Sequence, residues 1–177
     1  FDAYVQKMLP DGSLPWGSPG AHFADYSSIA DPQEQTIHIA HAENARDVWA
    51  VCTFTNTDQT ESGIFAQKFN LADGSKQLGT LSKEVVPINK RLTSLAFSRL
   101  SLCGNMPVFV FTDNTNKLYA TKLNSNGGLA WNNNAVVIGG SANAKGRYCF
   151  TSVYQQQAVA VWQEDKGKGD APYAQNI

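Results

Sequence analysis

Charge is scarce in this chain. Asp, Glu, Lys and Arg make up 16% of its 177 residues, against roughly 25% in ordinary globular domains. Long helices laced by ion pairs are therefore not expected. Acids and bases nearly cancel, to a formal charge of -1, so no basic footprint for nucleic acid or anionic lipid is visible. No apolar run reaches the ~20 residues that span a bilayer as a helix. The chain opens in a strand-like run, not in a basic and then apolar leader. Cysteine is scarce too: there are 3, with no Cys-x-x-Cys, which argues against a disulfide scaffold and against a zinc or redox motif. Cys52, Cys103 and Cys149 are expected as buried free thiols behaving as small hydrophobes. No Gly-x-Ser-x-Gly, Walker-type glycine loop, His-Glu-x-x-His or EF-hand spacing occurs. No cofactor and no metal is expected, and catalytic residues stay unassigned.

What the chain does contain is a repeat. An aromatic sits in a short strand-like run ending in Gln or Thr: Ala3-Tyr4-Val5-Gln6, Ile64-Phe65-Ala66-Gln67, Leu118-Tyr119-Ala120-Thr121 and Pro172-Tyr173-Ala174-Gln175. After three of these runs comes an Asx-Gly pair and then a bulky apolar residue. Asp11-Gly12 leads to Trp16, Asp73-Gly74 to Leu78 and Asn126-Gly127 to Trp131, always five positions after the Asp or Asn. Asp-Gly and Asn-Gly supply the φ > 0 residues of tight hairpin turns. Before the runs lie apolar strands: Val48 to Phe54, Val108 to Phe111 and Val159 to Trp162. Earlier strands are expected over Ile37 to Ala42, Leu95 to Leu102 and Tyr148 to Tyr154. The unit is thus four strands, called A to D in chain order. Val, Thr, Phe and Tyr fill the apolar runs, which suits a pleated surface. Only Asp31 to Gln35 and Ser82 to Val86 are expected to make single helical turns.

A repeat of this size predicts an all-β, propeller-like array of four-stranded antiparallel blades. The boundaries are a partial blade over 1–28, blades over 29–90 and 91–146, and a partial blade over 147–177. Three blades are fewer than the about four to eight of ordinary propellers. Three resolutions stay open: a portion of a larger ring, two copies closing a ring of about six blades, or a small closed form in which the N-terminal hairpin completes the C-terminal blade.

The run Trp162-Gln163-Glu164-Asp165 leading to Tyr173-Ala174-Gln175, and Tyr4-Val5-Gln6 leading to Asp11-Gly12 and Trp16, resemble blade repeats in large secreted or surface proteins of bacteria. The chain departs from that pattern at Thr121, which stands for Gln, at Leu78, which stands for Trp, and at Phe54 and Phe111, which take the place of Trp162. The resemblance implies a secreted or surface location and a glycan or protein ligand, held by a non-enzymatic binding or display module. Its alternatives are the propeller portion of a carbohydrate-active enzyme, a glycosidase or lyase, and a structural spacer. Fold alone does not choose among these.

The candidate residues each have a plain reading. Trp16, Trp131 and Trp162 recur in the repeat and are expected as packing residues buried between units, while Trp49 lies outside the pattern. His38 and His41, three apart on a strand, point to opposite faces and make poor joint metal ligands. One of them is placed to line a central channel. His22 lies in a loop with no partner evident in the sequence. The acids Asp113 beside Asn114, and Glu164 beside Asp165, fall at the ends of strand B, where turn chemistry accounts for them. Asp11, Asp73 and Asn126 are read as turn residues and not as calcium ligands. The polar loop Asn124–Asn134 suits ligand contact and a simple hairpin equally.

Overall fold

A computed structural model of the chain describes residues 1–26, 32–90, 94–95, 100–131, 135–152 and 157–177. These residues form strands and turns and, among them, no helix. In chain order the strands are β1 Tyr4–Val5, β2 Ala21–His22, β3 Gln33–Ala40, β4 Asp47–Thr55, β5 Ser62–Asn70, β6 Lys83–Lys90, β7 Ser94–Leu95, β8 Ser101–Cys103, β9 Met106–Thr112, β10 Leu118–Lys122, β11 Val136–Gly139, β12 Lys145–Ser152, β13 Ala158–Asp165 and β14 Asp170–Asn176. They pair antiparallel into four sheets: β1-β2, then β3-β4-β5-β6, then β7 and β8 on one edge of β9 followed by β10 and β11, then β12-β13-β14. The four sheets make a propeller-like array. Parts of the expected strands Leu95 to Leu102 and Tyr148 to Tyr154, and of the loop Asn124–Asn134, lie outside the described residues.

Period-two alternation builds the array. On β4, Val48, Ala50, Cys52 and Phe54 face one core, shared with Ala3, Val5, Phe23 and Ala24 of the N-terminal hairpin. The intervening Trp49 and Val51 face a second core, shared with Phe109, Phe111 and Leu123. On β9 the same split recurs, because Val108 and Val110 face a third core with Ala158, Ala160 and Trp162. A strand that is apolar on both faces must be covered on both faces, so successive sheets stack. The last strand pair differs. β13 buries Ala158, Ala160, Trp162 and Glu164, while Val159, Val161 and Gln163 between them are only half-buried.

Both expected helical turns are overturned. Gln33–Gln35 begin β3, and Lys83–Val86 begin β6. Each pairs along the edge of an apolar neighbour strand, and those ladder bonds outweigh weak local preference. The small closed form is not seen either: β1 pairs with β2, and β14 pairs with β13 and with no other described strand.

The register moves one member of the aromatic series. Phe111 pairs with Tyr119 and Trp162 with Tyr173, and their rings stack at 5.3 and 6.0 Å. In the second blade the partner of Phe65 is Cys52, and Phe54 lies two residues further on. Phe54 still meets Phe65 diagonally, with ring centroids 4.3 Å apart.

The Asx-Gly turns have a packing role that extends beyond their own hairpins. A methyl group on Gly74 would fall 2.8 Å from Cδ2 of Trp16, in the preceding sheet; one on Gly127 would fall 2.8 Å from Cδ1 of Leu78. Each turn therefore seats its glycine on the bulky residue of the blade before it. Gly74 has φ of +75° and Gly79 of +90°, but nothing stands within 4 Å of a methyl on Gly79. Gly74→Ala and Gly79→Ala both incur the left-handed backbone cost. Gly74→Ala is expected to lose a further 1–3 kcal/mol, roughly, from overpacking. Urea unfolding of the two variants side by side measures that difference.

Candidate functional site

Most of the polar residues singled out in the sequence are consumed by turns. Asp113 Oδ1 accepts from Thr115 N at 2.8 Å, Thr115 Oγ1 at 2.7 Å and Lys117 N at 3.1 Å. Asp165 Oδ1 accepts from Gly167 N at 2.7 Å and Gly169 N at 3.0 Å. Asp11 and Asp73 each accept from the backbone N–H two residues on, at 3.0 and 2.9 Å. In the Asn126 hairpin the larger share falls to Asn124, whose Oδ1 accepts from Asn126 N at 3.2 Å and Gly128 N at 3.0 Å. The repeated Gln is likewise structural. Gln67, fully buried, donates to Gly79 O at 2.8 Å and accepts from Leu78 N at 3.0 Å, and Gln6 donates to Gly17 O in the same way. Thr121 is too short for this role, and its buried hydroxyl has no hydrogen-bond partner among the described residues.

Two expectations about burial need correction. Trp16 and Trp131 are half-buried, not enclosed. Both sit on loops at a sheet margin, where neighbouring sheets cover the ring only in part. Trp162, on β13, is buried. Cys52 and Cys103 are buried, but Cys149 is exposed, because β12 presents that face away from the third core.

Glu164 is not a turn residue but half of a buried ion pair. Its side chain is 1% exposed and that of Lys145 is 0% exposed, with Nζ 4.0 Å from Oε2. Trp162 Nε1 donates to Oε2 at 3.2 Å, and Ser141 Oγ donates to Oε1. Burial pushes the Glu164 carboxyl up, but these donors and the Lys145 charge outweigh it and hold it below the ordinary value. Lys145 Nζ also donates to Asn116 O and Ser141 O, each at 2.7 Å. The pair ties the start of β12 to the β9–β10 turn. Every group in it is engaged, so its role is structural.

The cluster that remains forms where the N-terminal hairpin meets β3, and it is built on His22. The sequence shows no partner for this residue; the fold brings it four. Asp25 Oδ1 lies 3.3 Å from Nδ1, while Asp2 Oδ1 and Glu34 Oε2 lie 3.8 and 3.7 Å from Nε2. The Tyr4 ring, 42% exposed, stacks on the imidazole with centroids 4.8 Å apart. Glu34 is buried and accepts from Ala3 N, which locks the hairpin to β3. Lys76 pairs with Asp25 and, with smaller help from His22, holds that carboxyl below its ordinary value. Asp2 and Asp25 remain about half exposed. The arrangement is an imidazole oriented through Nδ1, with two carboxylates and not a hydroxyl or thiol beyond Nε2. Hydrogen bonding of hydroxyl groups to the half-exposed Asp2 and Asp25 fits it; nucleophilic triad chemistry does not. Among the described residues no group of His, Cys, Asp and Glu has metal-ligand geometry. The other histidines stand apart: His41 Nε2 meets Ala45 O at 3.2 Å, and His38 lies on β3 opposite Val51.

A concave feature lies between the second and third sheets. It is a cleft of about 340 Å³ lined by Arg46, Asp47, Trp49, Lys68, Asn105 and Met106, among others. Trp49 forms its floor, donating from Nε1 to Asn105 O at 3.0 Å. Lys68 lies 5.3 Å from the Trp49 ring centroid and donates to Ser125 O at 3.1 Å.

No protein-family model matches the chain, and no curated protein matches it. Among solved structures, a Bacteroides ovatus protein described as xyloglucan PUL GH43B is similar, with a TM-score of 0.51 at 9% identity, covering 99% of this chain and 36% of that one. The chain therefore spans little more than a third of that structure. At this identity the likeness shows the fold alone, a β-propeller array.

Proposed function

We propose that this chain is the propeller portion of a carbohydrate-active protein and that it meets its glycan at the His22 cluster. The observation that carries the reading is the convergence of Asp2, Asp25 and Glu34 on one imidazole beside the exposed Tyr4 ring. A sugar is a polyol with apolar C–H faces. The half-exposed carboxylates of Asp2 and Asp25 suit its hydroxyls, and an aromatic face takes its C–H surface. Asp2 and Glu34 also flank a common point, each within 4 Å of Nε2. The sum of those two distances caps their separation below the roughly 9.5 Å upper end of the range over which paired carboxyl groups work in glycoside hydrolysis. The fold's likeness to xyloglucan PUL GH43B makes xyloglucan fragments the first ligands to try. A secreted or surface location follows from the same reading, since such polysaccharides lie outside the cell.

The test is calorimetric titration with xyloglucan oligosaccharides, paired with an assay of released sugar. Asp2→Asn and Tyr4→Ala are each expected to weaken binding about tenfold, the scale of one lost hydrogen bond to a charged group for Asp2 and of one lost aromatic face for Tyr4. Asp2→Asn is expected to reduce sugar release at least as far. Binding unchanged in both variants contradicts the assignment of the site. Binding without any sugar release selects the second reading, a non-enzymatic binding or display module. That reading is favoured by the commitment of Glu34 to Ala3 N and by the mixed polar and apolar cleft over Trp49.

A further inference from the structure

Trp49 stands outside the repeat, and the strand register shows what it replaces. It pairs with Lys68, the residue after the repeated Gln67. The equivalent pair is Val108 with Lys122 in the third sheet and Val159 with Asn176 in the last. Packing at this position is therefore met by valine, and Val108 is buried there. In the second sheet the larger indole does something more. It reaches to the next sheet, donating from Nε1 to Asn105 O at 3.0 Å, and the Lys68 ammonium lies over it at 5.3 Å. Lys68 is itself anchored by the fold. It donates to Ser125 O in the following sheet, just as Lys7, after Gln6, donates to Leu71 O. The cleft over Trp49 thus has a packed floor and a cation fixed in its wall.

The other lining residues decide what the cleft fits. Arg46 is exposed and, among the described residues, in no ion pair. Asp47 lies 4.0 Å from Lys68 and offsets it. Arg46 and Lys68 against Asp47 leave the lining one net positive charge. A monoanion neutralises that charge, whereas a dianion keeps an uncompensated charge beside Asp47. A guanidinium matches a carboxylate through two parallel hydrogen bonds. Asn44 and Asn105 bring amide donors and acceptors for hydroxyl groups, and Leu102 and Met106 bring an apolar wall for a C–H face. The volume of about 340 Å³ is at the low end of the roughly 300–1,000 Å³ of small-molecule sites. We propose that the Trp49 cleft binds a small hydroxylated monocarboxylate, a sugar acid such as a uronate, with its carboxylate on Arg46. The inference stands apart from the glycan reading of the His22 cluster. β3 carries Glu34 of that cluster near its start and ends beside the cleft, and from Glu34 to Ala40 it spans roughly 20 Å.

Titration of the isotope-labelled chain with glucuronate, followed at the Trp49 indole N–H and the Arg46 Nε–H, tests it. Saturable shifts of both signals are expected, with glucose, the neutral counterpart, binding at least tenfold more weakly. Arg46→Gln is expected to weaken glucuronate at least tenfold. Its side chain is exposed, so the fold is kept, and the amide spectrum checks that. Asp47→Asn is expected to tighten glucuronate and to admit inorganic phosphate, because it removes the opposing charge. An oligosaccharide ending in glucuronate, run beside the free sugar acid, tells a glycan end from a free acid as the source; either one bound at the cleft supports the class. No saturable response to either form at about 10 mM overturns the inference. So does glucose that binds as tightly as glucuronate, and so does an Arg46→Gln chain that binds glucuronate as well as the native one. Shifts centred on Tyr4 and His22 with Trp49 silent overturn it too.

Discussion

Phe54→Ala is expected to lower the free energy of unfolding by about 3–5 kcal/mol, the usual range for a large aromatic removed from a closed core. Phe54 is fully buried. Its ring stacks on Phe65 at 4.3 Å and meets Phe23 and Tyr26 edge-on at 5.6 and 5.8 Å. Those neighbours come from β5 and from the N-terminal hairpin, so the ring holds one sheet to the next. They are themselves rigid aromatics, which limits collapse into the vacated space. Urea denaturation with an unchanged slope and a lowered midpoint is the expected result. A loss below about 1 kcal/mol would mean that the hairpin does not pack on β4 as described.

Lys145→Met is expected to cost nearly as much, about 3–5 kcal/mol, because it strands the Glu164 carboxylate in the interior without its counter-charge. The double variant Lys145→Met/Glu164→Leu is expected to recover most of that loss, since two apolar groups need no compensation. The two chains should also respond differently to acid. In the native chain Glu164 has a folded pKa below its ordinary value. Its stabilising contribution is therefore full above the ordinary carboxylate range and is lost as pH falls through the folded pKa. Asp113 and Asp25, also held low, act in the same direction. In Lys145→Met the Ser141 and Trp162 hydrogen bonds remain but the Lys145 charge is lost, so the folded pKa of Glu164 rises and its stabilising contribution at neutral pH shrinks. The gap between variant and native chain is expected to narrow on acidification from pH 7 to pH 4. A gap that widens would show that Lys145 does not compensate Glu164.

The array was legible in the sequence because its signals are local. Alternation on Val48 to Phe54 marks a strand covered on both faces, and the constant spacing of Asp-Gly to Trp or Leu marks a recurring hairpin. The reason for that spacing was not legible, since Gly74 meets Trp16 and Gly127 meets Leu78 across blade boundaries. The same limit explains Phe54. Counting from the repeated Gln sets it level with Trp162, but the loop between β4 and β5 shifts the pairing and places Cys52 there instead. Ser82 to Val86 reads as a helical turn by itself; its neighbour strand makes it an edge strand. His22 was the largest omission. Its partners at 2, 4, 25 and 34 come from three segments that only the fold brings together, and nothing in their spacing announces a site. Glu164 shows the opposite error, an acid beside a turn whose partner, Lys145, lies nineteen residues earlier in the next strand of the sheet.

The claim that the His22 cluster is the glycan-facing site is tested most directly by mapping, residue by residue, where a xyloglucan oligosaccharide perturbs the amide and imidazole signals of the isotope-labelled chain. Saturable shifts centred on Tyr4, His22 and Asp25, with the Trp49 cleft silent, are the predicted result. Saturable shifts confined to the Arg46, Trp49 and Asn105 cleft, or no saturable shift anywhere, would contradict it.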